Sequence, residues 1–171
     1  MIETAYGTKI AFTAPHRLAT KAGFDILEAG GTAVEAMVAA AAQIAVVYPH
    51  MNSIGGDGFW LIKNMNQAPI AISACGHAAE QATLDWYHKK GFKDSLPTRG
   101  PLAALTVPAA VSGWEKAFVF SQEKLEGKKS LEELLEPAKF ISSTNSHYSF
   151  HCNWDMELKK ICNSFKLERS F

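Results

Sequence analysis

Residues 33–47, AVEAMVAAAAQIAVV, form an apolar run that only Glu35 and Gln43 interrupt. Alanine dominates it, and alanine is the best helix former. A helix apolar all the way round predicts a core helix buried on every side. Thr32 and Glu35 have the spacing of a capping box, which sets the start. Pro49 sets the stop, because the residue before a proline is pushed out of the helical region. Gly55-Gly56-Asp57-Gly58 then predicts a bend that needs unusual backbone angles. Residues 59–62 read as a short buried strand. After a polar turn at 64–67, residues 70–74 read as a second strand, antiparallel to the first. A core helix, a glycine bend and a hairpin thus follow one another directly, and the rest must pack around them.

The flanking pattern is amphipathic. Residues 9–13 alternate weakly and predict a strand ended by Pro15. Leu18, Ala22, Ile26 and Ala29 recur at helical spacing, and Gly30-Gly31 stops that helix. Residues 83–90 predict a short helix carrying Trp86 and Tyr87, with Gly91 as its stop. A loop over 94–101 holds Pro97, Arg99, Gly100 and Pro101, and 102–107 predicts a buried strand. Val111, Trp114 and Phe118 place a helix over 109–121, followed by a charged, solvated connector at 123–129. Ser130 and Glu133 form a second capping box for a helix reaching Phe140, with Pro137 inside it as a kink or an end. From 142 to 151 the chain is polar and aromatic without a period, and 154–167 predicts one more helix. The expected division is a domain over 1–141 and a divergent or truncated tail over 142–171.

Composition narrows the partners. Apolar content of 47% with 20% charged residues is that of a globular protein with a real core. Seventeen basic and seventeen acidic residues cancel. No field of one sign draws nucleic acid or an anionic membrane, so neither is expected as a partner. The longest apolar run is too short to span a bilayer, and the first residues carry no leader-like pattern. Cys75, Cys152 and Cys162 form no CxxC motif, which suggests free thiols in a reducing compartment and hence a cytoplasmic location.

Few residues carry chemistry by themselves. Cys75 ends a predicted strand and precedes Gly76-His77. It reads either as a thiol nucleophile beside an imidazole or as a small buried residue. Arg99, in a loop stiffened by proline, either grips a carboxylate with a two-pronged hydrogen bond or is a surface arginine. The Gly55–Gly58 bend can offer backbone amides to an anion or serve as a turn, with Asp57 as a turn former. It lacks the strand-before, helix-after context of a phosphate loop, and no cofactor is expected. His147, His151 and Cys152 come nearest to metal-ligand spacing, with a solvated tail as the favoured reading and no metal site expected.

Larger motifs carry a resemblance. APHRL at 14–18, GG at 30–31, AVEAMVAA at 33–40, VVYPH at 46–50 and IGGDGF at 54–59 resemble the opening of the gamma-glutamyltranspeptidase family. GPLAALTVPAAVSGW at 100–114 resembles a later segment of the same family. The resemblance covers about residues 8–141, with several motifs in order at the right separations. It implies an N-terminal-nucleophile hydrolase, an α/β (α+β) protein with an αββα sandwich, of which this chain is a first-subunit portion. Family precursors cut themselves in two, and a threonine that begins the second subunit is the nucleophile, its own amino group serving as base. No residue here matches that threonine or its oxyanion donors, so no catalytic residue is assigned. The family arginine that holds the substrate α-carboxylate falls at Cys75, within SACGH at 73–77. That departure, with Arg99-Gly100-Pro101, resembles the divergent branch that includes oxamate amidohydrolase.

The resemblance therefore implies a fragment of an amide hydrolase or acyltransferase, inactive alone, whose partners are the missing small subunit and a small amide substrate. Cys75 and Arg99 are its substrate-binding candidates. A non-catalytic scaffold that keeps the family's first layers is the alternative, and a cysteine-dependent enzyme using Cys75 is a third reading.

Overall fold

The computed structural model describes residues 6–65 and 67–144. Five helices and one hairpin make up its regular structure: α1 (Arg17–Glu28), α2 (Ala33–Val47), β1 (Gly58–Ile62), β2 (Ile70–Ala74), α3 (Leu84–Lys89), α4 (Ala110–Lys124) and α5 (Leu131–Thr144).

Local chemistry explains the helix ends. His16 Nδ1 accepts from Leu18 N at 3.2 Å and opens α1. At its other end Gly30 has φ +78°, and the amides of Gly30 and Gly31 return to the carbonyls of Leu27 and Ile26. This pair of bonds satisfies carbonyls that the helix leaves open. Both predicted capping boxes form. Thr32 Oγ1 accepts from Glu35 N at 3.1 Å while Glu35 Oε2 accepts from Thr32 N at 2.7 Å. Ser130 and Glu133 repeat the arrangement at α5.

The centre of the fold is α2, packed between α1, α4 and α5. Val38, Ala39, Ala42, Ala45 and Val46 are buried against Trp114, Phe118, Leu134, Leu135 and Ala138. Alanines on α2 keep its backbone close to its neighbours, while α4 and α5 supply the bulk. The hairpin pairs antiparallel in continuous register, Gly58 with Ala74 through Ile62 with Ile70. Its inner face lies on α4, where Ile62 joins Val34 and Ala117 in a second cluster. The contact requires a glycine on α4, since a Cβ at Gly113 would come within 2.6 Å of the Ala74 methyl.

A buried polar cluster closes the helical layer. Glu35, fully excluded from solvent, accepts from Lys129 N at 2.8 Å and Gln122 Nε2 at 3.1 Å through its second oxygen. Beside it the Thr32 and Ser121 hydroxyls lie 2.6 Å apart. The link ties the α4–α5 connector to the start of α2. A buried carboxylate is tolerable when hydrogen bonds replace its water in this way.

Several expectations are corrected. Residues 9–13 form no strand. They pack along α1, with the Phe12 ring in the space left by Gly23, and Ala14 bonds the Thr20 hydroxyl instead of a neighbouring strand. Residues 102–107 form a 3-10 turn, Pro101–Ala103, then a single bridge between Thr106 and Ala78, because Pro101 and Pro108 interrupt a ladder. The 123–129 connector is shorter and less solvated than its charge suggests: α4 absorbs Glu123 and Lys124, and Lys129 N is held by Glu35. Helix α5 runs past Pro137 to Thr144, so residues 142–144 are helical, their hydroxyls bonding carbonyls three or four residues back. Helix α2 is not buried on every side, since Met37 is 44% exposed and Ala33, Ala41 and Ile44 share its face. The predicted helix at 154–167 and the His147–His151–Cys152 grouping lie outside the described residues.

Candidate functional site

Three segments meet where β2 ends. The glycine bend enters β1, the chain leaves β2 through Cys75 and Gly76, and residues 105–110 lead into α4. Backbone bonds join them. Val107 N donates to His77 O at 3.0 Å and Ala79 N to Leu105 O at 3.2 Å. Ala109 N and Ala110 N both donate to Gly56 O, at 3.1 and 2.9 Å. Asp57 Oδ1 accepts from Gly76 N at 3.4 Å. Gly76 lies so close to the Val107 carbonyl that a Cβ there would overlap it. Only glycine allows the two segments to approach this way.

An open cleft of about 400 Å³ lies beside this junction, lined among others by His50, Ser53, Asp57, Ala110 and Trp114. The Tyr48 and His50 rings pack edge to face at 4.2 Å and hold one wall. Asp57 is thus more than a turn former: it reaches the amide after Cys75. The signal available in the sequence was Gly76 itself, a glycine immediately after the candidate residue.

Cys75 is exposed, which overturns its reading as a small buried residue. Cys152 and Cys162 lie outside the described residues. Arg99 is exposed too, and among the described residues no hydrogen bond or ion pair holds it. Its loop is anchored on the C-terminal side. Gly100 takes φ +87° after it, and Tyr87 Oη donates to Leu102 O at 2.9 Å. Tyr87 is in turn buried between Trp86 and Phe92. No hydrogen bond or ion pair joins Arg99 to Cys75.

Among the described residues no three His, Cys, Asp or Glu side chains gather as a metal site, and no helix is long and apolar enough to cross a membrane. Hydrogen bonds from the Ser130 amide and hydroxyl hold the Glu133 carboxyl below its ordinary value.

Comparison with known proteins fits this geometry. The family description "Gamma-glutamyltranspeptidase" matches residues 19–143. The chain is 56% identical over 110 residues to the oxamate amidohydrolase proenzyme of Klebsiella pneumoniae, covering 64% of this chain and 20% of that one. It is 40% identical over 140 residues to the glutathione hydrolase-like YwrD proenzyme of Bacillus subtilis, covering 81% and 25%. The chain therefore spans a fifth to a quarter of the length of these relatives. The structure superposes on Helicobacter pylori gamma-glutamyltranspeptidase with a TM-score of 0.69 at 32% identity, covering 81% of this chain and 39% of that one. The packed helices and hairpin are thus part of an N-terminal-nucleophile hydrolase fold. With a family match over most of its length and a fold to suit it, this chain belongs to the gamma-glutamyltranspeptidase family.

Proposed function

We propose that this chain supplies the first layers of an amide hydrolase of the oxamate-amidohydrolase kind, acting on a small anionic amide, and that it is inactive without the remainder of the family's chain. The observation that carries the reading is the 56% identity to the Klebsiella amidohydrolase, well above the 35% to the glutathione hydrolase of Escherichia coli. An exposed Cys75 directly after β2, in place of the family's arginine, supports a substrate held differently from a glutamyl group. Arg99 is the proposed carboxylate partner: its guanidinium is unengaged among the described residues, and its loop is pinned at Leu102. A pinned loop loses little entropy when it grips a ligand.

The test is co-expression of this chain with the Klebsiella amidohydrolase lacking the segment that this chain matches. Ammonia release from oxamate is measured against release from a chromogenic gamma-glutamyl amide. The expected result is no turnover by the 171 residues alone and preferential oxamate turnover by the pair. Turnover by the purified chain alone, or preference for the glutamyl amide, refutes the reading.

A further inference from the structure

Between Ala74 and Ala110 the chain leaves the hairpin and returns to α4, and within that excursion Tyr87 is the one buried residue. The stem of the excursion is the Gly76–Val107 junction, closed by the Val107 N–His77 O and Ala79 N–Leu105 O bonds and by the Ala78–Thr106 bridge. Beyond the stem, the segment is held together around Tyr87. The Tyr87 ring, 5% exposed, meets the Trp86 ring edge to face at 4.9 Å and the Phe92 ring at 6.5 Å. Its backbone carbonyl accepts from Lys90 N and Phe92 N, both at 3.0 Å. Its hydroxyl donates to Leu102 O at 2.9 Å.

That hydroxyl reaches the loop that carries Arg99. Residues 93–99 make no backbone hydrogen bond among the described residues. The residues after Arg99 are stiff. Gly100 takes φ +87°, a conformation that side-chain-bearing residues rarely adopt, and the Pro101 ring sets the next φ. Ala103 N then closes the 3-10 turn on Gly100 O at 2.9 Å. Leu102 O lies in that turn, so a bond to it holds the backbone that leads directly back to Arg99. A phenylalanine would fill the space between Trp86 and Phe92 equally well. What the hydroxyl adds is the one bond to the turn.

We propose that Tyr87 is a positioning residue for Arg99: its phenol fixes the turn after Arg99, so that the guanidinium meets a substrate carboxylate in a set place. This role rests on the proposed reading of Arg99 as the carboxylate partner of a small anionic amide. Paired hydrogen bonds from a guanidinium to a carboxylate demand a fixed direction as well as a charge. An exposed arginine on an unfastened loop supplies the charge and must be ordered by the ligand itself. A neutral hydrogen bond of this kind shifts an open–closed equilibrium by roughly three- to tenfold. Such a factor is small beside the stability of a domain, yet it decides whether a single loop is open or closed.

The kinetic test again pairs the chain with the remainder of the Klebsiella amidohydrolase. Oxamate is the anionic probe and oxamide its neutral counterpart, read by turnover or by competition with oxamate. Tyr87→Phe keeps the ring and removes the hydroxyl. It is expected to raise KM for oxamate roughly three- to tenfold at unchanged kcat, and to leave oxamide as in wild type. In an Arg99→Lys background, where the paired geometry is already lost, the same change is expected to have no further effect. A second measurement uses the 171-residue chain alone. Tyr87→Phe should speed exchange of the Ala103 and Ala104 amides roughly three- to tenfold while the α2 amides keep their protection, which separates local release from loss of the fold. The positioning role is overturned by an unchanged KM for oxamate, an equal effect on both amides, losses that add to those of Arg99→Lys, or unchanged exchange at Ala103. If Arg99→Lys is selective against oxamate while Tyr87→Phe is silent, the proposed function stands and the role of Tyr87 alone falls. If the wild-type pair turns over no oxamate, or Arg99→Lys affects both amides alike, the proposed function fails and the role of Tyr87 falls with it.

Discussion

Replacing Glu35 with alanine tests how far one buried carboxylate holds the helical layer together. Its two oxygens accept from Thr32 N at 2.7 Å, Lys129 N at 2.8 Å and Gln122 Nε2 at 3.1 Å, in a site closed to water. Hydrogen bonds to a charged acceptor contribute roughly 1.5–3 kcal/mol each, and a buried donor left without its partner costs about 1–3 kcal/mol. The three bonds share one side chain, and Gln122 keeps a bond to Lys129 O, so the losses do not add fully. The expected destabilisation is about 3–5 kcal/mol. For a chain of this size that lowers Tm by about 6–20 °C. Glu35→Gln keeps the volume but offers one acceptor oxygen, so its NH2 group must face one of the two backbone donors. It is expected to fall between wild type and alanine. The assay is urea unfolding, with the midpoint falling at constant slope. A loss below about 1 kcal/mol for Glu35→Ala, or a glutamine variant as stable as wild type, refutes the claim that this carboxylate clamps the connector. Gly127→Ala offers a cross-check. Its Cβ would lie 2.8 Å from Glu35 Oε1, Gln122 Nε2 and Ser121 Oγ, so its cost and that of Glu35→Ala should not add.

Three other outcomes are expected. Gly76→Ala forces a methyl into the Val107 carbonyl and should cost about 3 kcal/mol, with faster amide exchange at Val107 and Ala79; wild-type exchange at both would show that the approach is loose. In a full-length relative with the same Thr-Arg-Gly-Pro loop, Arg99→Lys keeps the charge but loses the paired geometry. It should raise KM for anionic amides and spare neutral ones, whereas an equal effect on both would leave Arg99 a structural residue. The Glu133 carboxyl, held below its ordinary value by Ser130, stabilises α5 fully above the usual carboxylate range and loses that effect as pH falls through the lowered value. Protection factors of the amides in the first turn of α5, corrected for the intrinsic pH dependence of exchange, should therefore fall at acid pH, and Ser130→Ala should flatten this dependence.

What the sequence by itself determined is the set of features whose causes are close in the chain. Both capping boxes span three residues, the Gly30 stop acts within one turn, and the hairpin follows from two apolar runs around a polar turn. The motifs between residues 14 and 59 also carried the family, because their order and separation hold before any folding is known. Tertiary structure decided the rest. Residues 9–13 have the alternation of a strand but no strand beside them, and the space at Gly23 takes Phe12 instead. Glu35 looks in the sequence like a cap alone, yet it also receives the amide of Lys129, 94 positions away. Cys75 is exposed and its neighbour Gly76 is pressed on Val107, a contact no local rule contains. The uncovered face of α2 differs least of all from a buried one in composition. Ala33, Ala41 and Ile44 are as apolar as the core, and only the placement of α1, α4, α5 and the hairpin leaves that face open. A residue's periodicity records which face wants burial, whereas the elements that bury it come from distant parts of the chain.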